Sequence, residues 1–139
     1  MQDIATTRRS NIIYAASEIF ARRGYKATTI QQIAKEANVT LTSLKNYYDN
    51  KQDIIKEIYA DLIDEIIAAL GTPVAGRELV EYMAHVIHGT FSAIDRRRSI
   101  AWVLFTEQLP GMARVREGRS AELAQHTTGM LNRLVTLHM

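Results

Sequence analysis

TTIQQIAKEANVTLTSLKNYY, residues 28–48, is the stretch whose reading decides the fold. A threonine followed three residues later by glutamine is a capping box, and it fits in two registers, Thr28 with Gln31 or Thr29 with Gln32. The spacing of Ile30, Ile33, Ala34 and Ala37 predicts a short helix with one inward face. At Asn38-Val39-Thr40 that pattern stops. Asn tolerates the left-handed backbone of a sharp corner, Val39 can plug the gap beneath it, and Thr40 can cap a new helix. The third helix, about Leu41 to Tyr47, is short and polar, with Leu44 and one or both of Tyr47 and Tyr48 as core anchors. Helix, three-residue corner and polar helix form a helix-turn-helix.

Upstream, Ile12, Ile13, Ala16, Ile19 and Phe20 predict a first helix, with Ser10 or Thr7 as cap and Gly24 as left-handed stop. Downstream, Asn50 can cap a long fourth helix with a broad stripe from Ile54 to Leu70, ending at Gly71. A fifth, roughly Arg77 to Asp95, has Val80, Met83, Ile87, Phe91 and Ile94 in phase. The sixth, Ser99 to Leu109, carries Ile100, Trp102, Val103 and Phe105. A seventh starts near Ser120. Only two prolines punctuate the chain, which argues against many short strands. The expected fold is all-α with about seven helices: a three-helix head over residues 1–53 and a helical bundle over residues 54–139.

Composition narrows the chemistry. The 139 residues contain no cysteine, which removes disulfides, thiolate metal sites and cysteine nucleophiles. The first ten residues are polar, and no apolar run approaches the roughly 20 residues that a membrane helix needs, so the expected location is the cytoplasm. Eight Lys/Arg against five acids give residues 1–53 a charge of +3, while nine against ten give the remainder −1. A basic head on a near-neutral body suits an anionic polymer, although +3 alone also fits an ordinary solvated surface.

The second helix of a helix-turn-helix needs only its inner edge for the core. Its outer face is free to enter a major groove. Thr42 and Ser43 can hydrogen-bond base edges, Leu41 can touch a thymine methyl, and Lys45, Tyr47 and Lys51 can engage phosphates.

The run Ile12-Ile13-x-Ala15-Ala16-x-x-x-Phe20-x-x-x-Gly24-Tyr25-x-x-Thr28-Thr29-Ile30-x-x-Ile33-Ala34-x-x-Ala37 resembles the TetR family of bacterial transcriptional regulators. The likeness continues through Val39-Thr40-x-x-Ser43-Leu44-x-x-Tyr47-Tyr48-x-x-Lys51 and covers residues 8–58. It implies a repressor that binds a palindromic operator as a homodimer and is released by a small-molecule effector held in the C-terminal bundle. It implies further that Thr29 starts its helix near a phosphate, that Thr40 begins the recognition helix, that Leu41, Thr42 and Ser43 face bases, and that Tyr47 and Lys51 contact the backbone. Four departures bear on which operator is read. Asn38 stands where the family usually has Gly, Lys45 where it has a phosphate-binding tyrosine, and Asn46 where it has an aromatic. Asn46 can read an adenine edge or simply be solvated. The family's Gly at the position of Thr42 is absent too.

Family members usually continue into two further long helices that pair across a two-fold axis. Here the apolar run Leu134 to Met139 has no Gly or Pro terminator, so the expectation is a body lacking those last dimerisation helices rather than a short member pairing through its seventh helix.

Tyr59, Leu62, Met83, Phe91, Trp102 and Phe105 are the candidate lining of an effector pocket, or else plain core. Glu81, His85 and His88 share a helical face on which metal binding is conceivable, but a solvated polar face is the preferred reading, and no metal or cofactor is expected. Arg96-Arg97-Arg98 fits a helix end, whose free carbonyls favour cations. Arg8 and Arg9 precede the first predicted helix, as a minor-groove arm or a frayed terminus. No nucleophile elbow or phosphate loop appears, so an enzyme is not expected. The competing reading is a helical protein-interaction module that no longer binds DNA specifically.

Overall fold

The computed structural model describes residues 4–71, 78–107, 109 and 111–138. Among the described residues seven helices follow in order: α1 Ile4–Arg23, α2 Ile30–Glu36, α3 Leu41–Lys45, α4 Lys51–Leu70, α5 Leu79–Arg96, α6 Arg98–Thr106 and α7 Ala113–His138. Among the described residues there is no strand. The chain groups into two compact units. The first joins Met1–Tyr59 with Arg98–Gly111, and the second joins Ala60–Arg97 with Met112–Met139.

In the first unit α1 packs against α2 and α6, and α2 packs against α3. Ile12, Phe20, Ile33, Leu44, Ile54, Ile55, Ile58 and Leu104 are fully buried there. Each such side chain contributes about 1.5–3 kcal/mol by leaving water. Phe20 and Tyr25 meet with ring centroids 5.4 Å apart. The corners follow from local chemistry. Gly24 ends α1 at φ +82°, and its N–H donates to the Phe20 carbonyl at 2.9 Å. Asn38 takes the left-handed backbone at φ 56°, as the corner requires. Asn50 caps α4, its Oδ1 accepting from the Asp53 N–H at 2.9 Å.

Helix α1 begins at Ile4, ahead of the predicted caps Thr7 and Ser10, and so takes in Arg8 and Arg9. Neither arginine belongs to an extended arm. The Arg9 guanidinium makes two 2.9 Å hydrogen bonds to the Glu57 carboxylate and lies 5.2 Å from the Tyr48 ring centre. Burial by itself would raise the pKa of Glu57. The two hydrogen bonds from Arg9 and its charge, with the Tyr48 hydroxyl also favouring the charged form, hold it below the ordinary carboxylate value.

A group with a depressed folded pKa stabilises the fold above its unfolded pKa and loses that contribution as pH falls through the folded value. Glu57→Gln is therefore expected to lower the thermal midpoint at pH 7 and to narrow its gap from the parent as pH falls below the unfolded carboxylate value of about 4.3, closing only beneath the depressed folded value, where both side chains are uncharged. A gap that stays constant from pH 7 to pH 3 would show that the pair contributes nothing through its charge.

The second unit centres on Leu70, Tyr82, Val86, Met130 and Leu134, with Leu123 packed against them. Tyr82 donates its hydroxyl hydrogen to the Leu70 carbonyl at 2.7 Å, satisfying an acceptor that the end of α4 leaves free. Arg97 pairs with Glu65 at 3.3 Å, and Arg119 with Asp64 and Glu122 at 3.0 and 2.7 Å.

Three expectations are corrected here. The face of α5 that packs carries Tyr82, Val86 and Ala93, whereas Val80, Met83, Ile87 and Phe91 are exposed. On α6, Ile100, Ala101, Val103 and Leu104 are buried while Trp102 and Phe105 point outward. Helix α7 starts at Ala113, seven residues before the predicted Ser120, because Gly111 at φ +73° turns the chain directly into it.

Candidate nucleic-acid interface

The geometry of the head rests on two threonine caps. At Thr29 both halves of the capping box form. Its Oγ1 accepts from the Gln32 N–H at 3.2 Å, and Gln32 Oε1 accepts from the Thr29 N–H at 2.9 Å. The register left open in the sequence is thus Thr29 with Gln32. Thr28 is instead buried and donates its hydroxyl hydrogen to the Gly24 carbonyl at 2.8 Å. At Thr40 the hydroxyl accepts from the Ser43 N–H at 3.1 Å, which starts α3.

Helix α3 is five residues long and buries only Leu44. Thr42 and Lys45 are exposed, as is Asn46, the C-cap, while Leu41, Ser43 and Tyr47 are half-buried. Leu41, Thr42, Ser43, Lys45 and Asn46 therefore flank one buried anchor on a single short segment, with Thr40 at its start. Tyr47 falls in the turn that follows, two residues beyond the helix, because α3 ends at Lys45 and not at the predicted Tyr47. Tyr48 is buried, so of the two tyrosines it is the core anchor.

Lys51 occupies a different kind of position. Its ammonium donates to the carbonyls of Tyr25 at 2.7 Å, Thr28 at 2.9 Å and Lys26 at 3.4 Å, and it sits 4.3 Å from the Tyr25 ring centre. Burial lowers its pKa below the ordinary lysine value, and the charge of Glu107 opposes that shift. Lys51 thus gathers the carbonyls of the turn between α1 and α2. Sequence reasoning placed it on phosphate and missed this role. The aromatic Tyr25 beside the Gly24 stop was the available signal.

Glu107 was not singled out from the sequence at all. It lies just after α6, its Oε2 accepts from the Tyr25 N–H at 2.9 Å, and its own N–H donates to the Val103 carbonyl at 3.1 Å. With Arg23, Gly24, Lys26 and Ala27 it lines an open cavity of about 410 Å³.

The six candidate effector residues are distributed otherwise than the sequence suggested. Tyr59 and Leu62 are buried, while Met83, Phe91, Trp102 and Phe105 are exposed. In the second unit, a cleft of about 400 Å³ is lined by Gly71, Glu122, Gln125, His126, Gly129, Met130 and Arg133. Another of about 430 Å³ takes in Glu65, His85, His88, Ser92 and Arg96. Among the described residues no group of three or more His, Asp or Glu is arranged to hold a metal ion. No described helix is long and apolar enough to cross a membrane.

Residues 12–58 match the sequence family described as "Bacterial regulatory proteins, tetR family". The chain is 32% identical over 92 residues to the HTH-type transcriptional regulator HbdR of Aromatoleum sp. (strain CIB), covering 66% of this chain and 40% of that protein. It is 29% identical over 93 residues to the HTH-type transcriptional repressor KstR2 of Rhodococcus jostii (strain RHA1), covering 66% of this chain and 46% of that one. The chain thus spans less than half the length of either regulator. In fold it resembles the ketosteroid transcriptional regulator KstR2 of Mycobacterium tuberculosis, with a TM-score of 0.68 at 22% identity over 90% of this chain and 66% of the other. A TetR-family regulator of Marinobacter aquaeolei VT8 is alike at a TM-score of 0.68 and 22% identity, over 93% of this chain and 71% of the other.

Proposed function

We propose, from the match of residues 12–58 to the tetR family of bacterial regulatory proteins, that the chain is a DNA-binding transcriptional regulator of that family, a repressor that leaves its operator when a small-molecule effector binds. The observation that carries the reading is α3: a capped helix with Leu44 buried and Thr42, Lys45 and Asn46 presented to solvent. We assign base reading to Leu41, Thr42, Ser43 and Asn46, and phosphate contact to Thr29, Thr40, Lys45 and Tyr47. Lys51 joins the phosphate set by the family resemblance. Its ammonium is also engaged by three carbonyls, so its loss acts through the turn as well as through charge.

Residues 1–53 are assigned to DNA binding and residues 54–139 to regulation and dimerisation. Operator DNA makes the cytoplasm the working compartment, and the function requires no catalysis. A homodimer reads two half-sites about one helical turn apart, so its heads must keep a matching spacing. The effector acts by population shift, binding more tightly to a dimer whose heads no longer fit successive grooves.

Fluorescence anisotropy with duplexes flanking the protein's own gene, from about 50 to 200 mM salt, tests the reading. The expected result is sequence-selective binding by a dimer that weakens steeply with salt. Equal affinity for unrelated duplexes, or none, would overturn it in favour of a protein-interaction module.

A further inference from the structure

The turn between α1 and α2, residues 24–29, sets where the two DNA-facing helices begin. Local bonds alone do not hold it. Within it, the Thr28 N–H donates to the Tyr25 carbonyl at 3.2 Å and the Thr28 hydroxyl to the Gly24 carbonyl at 2.8 Å. From outside, Lys51 takes the carbonyls, and the Glu107 carboxylate, 82 residues away in sequence, takes the Tyr25 N–H.

The helix ends alone do not account for a carboxylate here. Glu107 follows the last residue of α6 and approaches Gly24, just past the end of α1. Both are helix C-termini, where partial negative charge favours cations, and α1 already carries Arg22 and Arg23 in its last turn. Glu107 is held by specific partners instead: the Tyr25 N–H by direct bond and the ammonium of Lys51 by charge. Gly24 permits the approach, because a Cβ at that position would lie 2.9 Å from Glu107 Oε1. The chain thus uses one glycine both for its left-handed φ and for admitting the carboxylate.

We propose that Glu107 is a positioning residue for DNA binding, its carboxylate fixing the 24–29 turn through the Tyr25 amide and so fixing the cap at Thr29 from which α2 and α3 follow. The inference rests on the DNA-binding reading above. It gives the end of α6 direct purchase on the head. Lengthening a 2.9 Å contact by under 1 Å ends the hydrogen bond.

The sign of the effect on DNA binding separates positioning from plain charge. Removing an acid near a DNA-binding surface tightens binding if the acid acts only by repelling phosphate. Removing a positioning group weakens it. In Glu107→Gln the side-chain carbonyl still accepts from Tyr25; in Glu107→Ala nothing does.

Amide hydrogen exchange of Tyr25, read by NMR in the DNA-free full chain, is combined with anisotropy on the duplex that binds the parent protein. The expected results are a protected Tyr25 amide in the parent, exchange at least tenfold faster in Glu107→Ala, and roughly five- to tenfold weaker DNA binding with an unchanged salt slope. Glu107→Gln keeps protection and affinity near the parent. An unprotected Tyr25 in the parent, unchanged exchange in Glu107→Ala, or tighter DNA binding by that variant would each overturn the proposal. If Glu107→Ala does not fold, the parent and Glu107→Gln decide it, since loss of Tyr25 protection in the Gln variant contradicts it equally. Failure of the parent to bind DNA selectively would remove the regulator reading, while Tyr25 exchange still decides whether Glu107 holds the turn.

Discussion

Leu44→Ala is expected to cost about 2–5 kcal/mol of stability and to abolish sequence-selective DNA binding. Helix α3 has five residues, far below the roughly 12–15 at which an isolated helix is even marginal in water. It exists because it is packed, and the packing is Leu44, the one residue of the helix that is buried, at 0% exposure. The Leu44 backbone holds the next turn as well, its carbonyl accepting from the N–H groups of Tyr47 at 2.9 Å and Tyr48 at 3.1 Å. Truncation to Ala removes the transfer energy and leaves a cavity beneath a helix that buries no other residue. A loss near the upper end of the range is therefore expected.

Total stabilities of about 5–15 kcal/mol make that a large fraction, and the thermal midpoint should fall by roughly 5–15 °C. Leu41→Ala is the control, since Leu41 is only half-buried and its loss should cost far less. Chemical denaturation of both variants measures the contrast in stability, and anisotropy on Leu44→Ala reads its DNA binding. A loss under 1 kcal/mol for Leu44→Ala with binding intact would mean that α3 is held by something other than its buried face.

The head was legible because its signals are local. Thr29 with Gln32, Asn38 at a left-handed corner, Thr40 and Asn50 each act within three residues, so the type and order of residues fix the turn and the cap together. The body was legible as helices but not as packing. Helix α5 carries two apolar stripes, Val80-Met83-Ile87-Phe91 and Tyr82-Val86-Ala93. Periodicity finds the helix without saying which stripe meets the core. The bulkier stripe was the natural choice and is the exposed one, because Tyr82 can satisfy its hydroxyl on the Leu70 carbonyl while its ring is buried. The start of α7 was missed because Arg114 to Arg119 alternates charges around Val115 and Gly118 and shows no stripe. The hold of Lys51 and Glu107 on the turn between α1 and α2 went unseen for one reason. Their partners are the backbone carbonyls and amide of a distant turn, and backbone groups have no letter in the sequence.

The second large effect falls on the exposed face of α3 and separates affinity from specificity. Lys45→Ala is expected to weaken binding to every duplex by a similar factor and to reduce the salt slope by about 0.9 per protomer, hence about 1.8 for a homodimer that loses one phosphate contact from each head. Lys45 is exposed at the end of α3 and basic, so its ammonium can reach a phosphate without any base in particular. Thr42→Ala is expected to leave the salt slope unchanged and to cost about 1–3 kcal/mol on the preferred duplex, with little change on others. Thr42 is exposed in the first turn of α3, the part of a recognition helix that meets base edges, and it carries no charge. Asn46→Ala resolves the choice left open by its position. A loss confined to duplexes with adenine at one position marks base reading, and no selective loss marks a solvated C-cap. Anisotropy of the three variants on a preferred and a scrambled duplex at four salt concentrations supplies every slope needed. If Lys45→Ala and Thr42→Ala gave the same slope and the same selectivity, the division between phosphate and base contacts on this helix would be wrong, whatever the protein's affinity for DNA.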